Sequence, residues 1–158
     1  MTIDEIIDFA GGLDGVLTLR PAPGDGTPEI SWGDTFFFYA PDGSVPATTQ
    51  PFATVVTKDY PGDGTSRLDR PGVFRVNIAA GREEFVRWTG RAPREPAPAG
   101  VDHAAADTVC AHPVHGTAGW LAVVNPGERT GETTRELLRT AHRLARSRHE
   151  RRAGSAGP

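Results

Sequence analysis

The run Asp69-Arg70-Pro71-Gly72-Val73-Phe74-Arg75-Val76-Asn77-Ile78 constrains the fold more than any other segment of this chain. A Pro-Gly turn leads into strict alternation, with Phe74, Val76 and Ile78 on one side and Arg75 and Asn77 on the other. Such alternation describes a β-strand with one packed face and one polar face. The packed face needs a covering layer, and the chain holds amphipathic helices to supply it.

Thr2-Ile3-Asp4-Glu5 reads as a capping box. Ile3, Ile6, Ile7 and Ala10 follow at helical spacing, and Gly11-Gly12 ends the segment. A second helix starts near Glu132 or Thr133, with Thr133 and Glu136 as a capping box and Leu137, Leu138, Ala141, Leu144 and Ala145 as its apolar stripe. Packing along that stripe is expected to end near Ala145. A short helix over 81–89 turns Phe85 and Trp88 inward. Strands are predicted over 16–19, over 30–39 with a bend at Gly33, over 51–57, over 73–78 and over 120–124. Their short or Gly/Pro-rich links favour antiparallel pairing. The expected architecture is α+β, an antiparallel sheet of about five or six strands with N- and C-terminal helices on one face. One domain spans 1–150, and 151–158 is expected to be a disordered tail.

The lone cysteine, Cys110, excludes an intrachain disulfide and fits a reducing cytoplasm. No run approaches the ~20 apolar residues of a membrane helix, and the acidic start Asp4-Glu5 is unlike a secretory signal. A cytoplasmic protein with no membrane partner is expected. Net charge is −3, but 132–152 holds seven Arg against three Glu, so this segment carries +4 and the rest −7. That distribution argues against global attraction to nucleic acid and leaves a local basic patch.

Four constellations carry chemistry. On and beside the strands, Asp34, Lys58, Asp59, Arg75, Asn77, His112 and Trp120 are expected to line a cleft for a small polar ligand, with Trp120 stacking on it. Trp32, Phe37 and Tyr60 extend the aromatic surround. The competing explanation is a structural ion pair such as Asp69 with Arg75. Second, His112 is the candidate general base, held by Asp59, Asp69 or Asp107. Third, Asp107, Cys110, His112 and His115 are metal-ligand types, but their spacing matches no structural zinc site; no metal or other cofactor is assigned. Fourth, Arg135, Arg139, Arg143 and Arg146 share a helix face that could meet phosphates, though no aromatic is interleaved and no helix-turn-helix precedes them. The chain has no G-x-S-x-G or H-E-x-x-H motif, and Gly62-Asp63-Gly64-Thr65-Ser66 reads as a turn rather than a phosphate loop. The leading reading is a non-catalytic binding module, with an enzyme and a nucleic-acid binder as alternatives.

Three blocks, Gly33–Tyr39, Pro51–Tyr60 with Leu68–Ile78, and His112-Pro113-Val114 with Gly119–Pro126, resemble a family of uncharacterised proteins common in actinobacteria that carries only a domain-of-unknown-function label. More remotely, the element order is similar to the MmcQ/YjbR family. The similar parts are the capped first helix, the strand and short helix near 77–88, and the His…Trp strand leading into the last helix. That resemblance implies a frataxin-like two-layer sandwich. The long 58–72 and 91–107 loops depart from it.

Overall fold

A computed structural model describes residues 1–155. Its centre is a six-stranded, fully antiparallel open sheet built from β1 (Val16–Leu19), β2 (Thr35–Tyr39), β3 (Ala53–Val56), β4 (Arg75–Ile78), β5 (Val109–Ala111) and β6 (Leu121–Val124), in the order β1-β2-β3-β4-β6-β5. Three helices, α1 (Ile3–Gly11), α2 (Gly81–Thr89) and α3 (Gly131–Ser155), complete the α+β fold.

Register separates the two faces of the sheet. Val76 lies opposite Val55 and Val123, and Ile78 opposite Ala53 and Leu121. These positions join Phe37, Phe52, Phe74 and Ala111 in one core with Ile6 and Ala10 of α1, Phe85 of α2 and Leu137, Leu138 and Ala141 of α3. All three helices therefore serve one core on one face. On the other face, Arg75 lies opposite Val56 and Val124, and Asn77 opposite Thr54 and Ala122.

Local chemistry sets the helix ends. The Thr2 hydroxyl accepts the Glu5 amide at 3.1 Å, capping α1 as its sequence implies. α3 begins at Gly131, ahead of the expected Thr133 box, because Asp107 reaches in from a distant loop. Its Oδ1 accepts the Gly127 amide at 2.8 Å and the Thr130 amide at 2.9 Å, and its Oδ2 accepts the Arg129 amide at 3.0 Å. Asp107 holds this geometry in the left-handed region, at φ 53°. With these hydrogen bonds, and that of the Thr130 hydroxyl, favouring the ionised form, its carboxyl lies well below the ordinary range.

Several expected boundaries move. The 30–39 strand begins only at Thr35, because Glu29–Ser31 turns as a short 3-10 segment. β5 adds a strand where none is predicted. Trp88 remains 38% exposed, so Phe85 alone anchors α2 in the core. The apolar packing along α3 ends at Ala145, as its stripe implies, while the helix itself runs on to Ser155; 156–158 lie outside the described residues. Arg146 bonds Glu150 one turn on, at 2.9 Å, and the His149 ring meets Tyr39 edge-on at 5.2 Å, which gives the late turns partners.

Where α2 starts, Gly81 sits at φ +87°, and a Cβ there would lie 2.8 Å from Leu144 Cδ1 of α3. The flexible leucine tip can yield; the backbone angle cannot be relieved in the same way. Gly81→Ala is expected to destabilise the fold by roughly 1–3 kcal/mol, read as a lower midpoint in urea unfolding.

Candidate functional site

Arg75 occupies the middle of the outer sheet face, yet it is only 1% exposed. Alternation assigned it to the polar side correctly, but that side is not open to water. The 57–72 segment folds across it and supplies its counter-ion. Asp63 Oδ1 accepts from Nη1 at 3.0 Å and Oδ2 from Nη2 at 2.6 Å, a bidentate pair. Ser66 Oγ accepts from Nη1 at 2.9 Å, and Asn77 Oδ1 from Nε at 2.7 Å. Asn77 passes the chain on, donating through Nδ2 to Thr54 Oγ1 at 2.9 Å. Burial works to raise the Asp63 carboxyl, but the Arg75 hydrogen bonds and charge hold it below its ordinary value. The expected Asp69–Arg75 pair does not form; Asp69 Oδ1 instead accepts the Asp59 amide at 3.0 Å.

His112 completes this cluster from the turn after β5. The turn aims two backbone donors at its Nδ1, from Val114 at 3.0 Å and from His115 at 2.9 Å. A nitrogen that accepts two amides carries no proton, so the ring proton of neutral His112 sits on Nε2. Nε2 lies 3.1 Å from Arg75 Nη2 and 4.0 Å from Asp63 Oδ2. Burial first, and the adjacent guanidinium second, pull the His112 pKa down to about 3. His112 is therefore neutral and a hydrogen-bond donor at Nε2. This is the reverse of what a resting general base requires, and Asp59, Asp69 and Asp107 are engaged with backbone amides instead.

Arg75, Asn77, His112 and Asp63 form the polar floor of a pocket of about 530 Å³. Phe36, Pro51, Tyr60, Pro61, Val114 and Trp120 form its walls. Of the seven expected lining residues, Arg75, Asn77, His112 and Trp120 come together here. Asp34 and Lys58 do not line it. They pair with each other at 3.0 Å behind the wall, where Asp34 also holds the Thr57 amide at 2.8 Å and receives the Tyr60 hydroxyl. Lys58 donates as well to the Trp32 carbonyl at 2.7 Å. Burial, then the hydrogen bond to Asp34, pushes the Tyr60 hydroxyl up, so it stays protonated. Asp59 closes the loop on itself by accepting the Leu68 amide at 2.8 Å. Phe37 faces the helices; its neighbour Phe36 takes the place expected for it.

The remaining candidates disperse. Cys110 Sγ lies 3.9 Å from His103 Nδ1, and burial raises its thiol pKa. Among the described residues no group of three or more His, Cys, Asp or Glu is arranged to hold a metal ion. Along α3, Arg135 meets Glu132 at 3.5 Å, Arg139 pairs with Glu136, and Arg146 meets Glu150 at 2.9 Å and Asp14 at 3.4 Å. Arg143 donates to the Thr140 hydroxyl at 3.1 Å. The Arg face that could meet phosphates is therefore largely balanced by neighbouring carboxylates. Asp63 and Ser66 are the partners of Arg75 that sequence reasoning passed over. The signal for them was an Arg on the outer face of a central strand, which, once covered, demands a carboxylate from a neighbouring loop.

Two predictions follow from this geometry. Asp63→Ala leaves a buried guanidinium without its counter-ion and is expected to cost about 3 kcal/mol in urea unfolding. The double variant Asp63→Leu/Arg75→Met is expected to cost much less, because no charge is stranded. His112 sets a pH dependence. Below its ordinary 6.5 the unfolded chain binds a proton that the folded ring refuses until about 3, so stability falls across that window on acidification. His112→Asn keeps an acceptor for the two amides and removes the titration. The stability gap between wild type and this variant is therefore expected to narrow as pH drops from about 7 to about 4.5.

No curated protein and no solved structure matches the chain. A family model does, over residues 1–154, and its description is a family of unknown function, DUF6194. That match spans all three helices and the whole sheet, and the chain accordingly belongs to the DUF6194 family.

Proposed function

We propose that this protein is a non-catalytic binding module whose small-molecule ligand occupies the pocket on the outer sheet face. The observation that carries this reading is the floor. Four polar side chains converge there, and Arg75, Asn77 and His112 are each at most 4% exposed. Aromatic and proline walls surround them. A few convergent polar groups within an apolar surround, in a volume of several hundred Å³, is the usual make-up of a small-molecule site. Binding is favoured over general-base catalysis because His112 Nε2 holds its proton and no free carboxylate lies within hydrogen-bond reach of it. It is favoured over nucleic-acid binding because Arg135, Arg139 and Arg146 are occupied by carboxylates.

The frataxin-like, MmcQ/YjbR-related ancestry belongs to this same reading. It draws support from helices at both ends of the chain packing on one face of an antiparallel sheet. A cytoplasmic setting draws support from the unpaired Cys110. Among the described residues, no helix is long and apolar enough to cross a membrane.

Val114 stands at the rim, 44% exposed, and only its backbone engages His112. Val114→Trp should fill the mouth without disturbing the fold. In a thermal-shift screen of metabolites, a true ligand at about a hundred times its dissociation constant adds about 2.7 kcal/mol. This corresponds to a rise on the order of 5–10 °C for a chain of this size. The rise is expected in wild type and absent in Val114→Trp; a ligand that shifts both equally would place binding elsewhere.

A further inference from the structure

The floor of the pocket specifies more than occupancy. Arg75 has five N–H donors, and four of them are committed to Asn77, Ser66 and the two oxygens of Asp63. The fifth faces His112 Nε2 at 3.1 Å. His112, however, already accepts two backbone amides at Nδ1 and so must carry its proton on Nε2. Two donors therefore face each other at the base of the pocket. Asp63 Oδ2 lies 4.0 Å from Nε2, beyond hydrogen-bond reach, and is already held by Arg75. Buried donors without acceptors are costly, and an incoming acceptor oxygen relieves that cost.

The charge of the floor then selects among acceptors. Arg75 and Asp63 cancel in a bidentate pair, while His112 and Asn77 are neutral. An anion entering here would find no uncompensated Lys or Arg and would lie beside the Asp63 carboxylate. The walls add a shape requirement, because Tyr60, Trp120 and Phe36 with Pro51 and Pro61 present flat apolar surfaces.

Resting on the pocket reading above, we propose that the ligand is an uncharged planar compound, an aromatic or heterocyclic ring bearing a carbonyl oxygen. That oxygen accepts from His112 Nε2 and Arg75 Nη2 while the ring lies between the aromatic walls. Inorganic phosphate and simple carboxylates are disfavoured by the same arrangement.

The test uses matched probes that differ only in charge, benzamide against benzoate and nicotinamide against nicotinate. Each is titrated by ligand-detected NMR at about pH 8, where free histidines are neutral. The proteins are wild type, Val114→Trp and His112→Asn, the last of which keeps an acceptor for the Val114 and His115 amides while deleting the pocket donor. The amides are expected to bind wild type on the order of tenfold more tightly than their carboxylate partners. They are expected to lose that affinity in Val114→Trp and to weaken by a similar factor in His112→Asn. Carboxylates that bind at least as well as amides, with sensitivity to Val114→Trp retained, would overturn the ligand class and leave the pocket reading standing. Undiminished amide binding in His112→Asn would likewise overturn the role of Nε2. If all four probes bind Val114→Trp as they bind wild type, or bind neither, the pocket reading fails and the ligand class with it.

Discussion

The buried Arg75–Asp63 pair is the constraint around which the outer half of this protein is arranged. A guanidinium at the middle of a sheet face tolerates two environments, open water or a complete set of acceptors. Here water is excluded, so acceptors must be brought to it. The 57–72 segment supplies Asp63 and Ser66 and in doing so lies down across the sheet. Leu68 then reaches the outer face and packs with Val56 and Val124, forming a second, smaller apolar cluster opposite the main core. A loop with no periodicity of its own is held in place by what one arginine requires. Such a pair contributes more to the choice of one arrangement than to net stability, because the desolvation of both charges offsets most of their attraction.

The turn after β5 shows how a short segment can set the chemistry of a side chain. Pro113 follows His112, and the chain bends so that the next two amides point back at the ring. This fixes the tautomer, and the tautomer fixes the polarity of the edge that faces the pocket. Arg75 reinforces the effect by opposing a second proton. A histidine in this setting works as a donor across the whole neutral range, so its value lies in orientation rather than in proton transfer.

Much of the inner layer is legible in the sequence, because periodicity reports it directly. The Thr2 cap, the 81–89 helix, the Val16–Leu19 strand and the assignment of Phe74, Val76 and Ile78 to the helix-covered side all follow from spacing and capping chemistry. The outer layer is less legible, since alternation tells which side a residue faces and not how deeply it lies. Arg75 and Asn77 look like wet positions and are almost wholly buried. Asp63 is masked by its glycine neighbours, which signal a turn, while Asp69, nearer in sequence, looks the better partner. Residues separated by 12 along the chain in a flexible-looking loop carry no spacing rule, so proximity in sequence misleads. β5 is hidden for a related reason: three residues at a sheet edge are too few to display a period.

The Asp34–Lys58 pair, although outside the pocket, bears on it through Tyr60. Asp34 sits at the start of β2 with a fully buried side chain, and it binds Thr57, Lys58 and the Tyr60 hydroxyl together. The tyrosine ring that forms one wall is thus fastened at its far end to a carboxylate just ahead of β2. Lys58 balances the charge of that carboxylate, which accepts from all three residues. The two ion pairs divide the labour. Arg75–Asp63 builds the floor and presents the donors, and Asp34–Lys58 holds the wall at a fixed distance from them. A site whose floor and wall are positioned by separate charge pairs on a rigid sheet is preorganised before any ligand arrives. In the binding role proposed above it would lose little side-chain freedom, and preorganisation of that kind raises affinity without adding a contact.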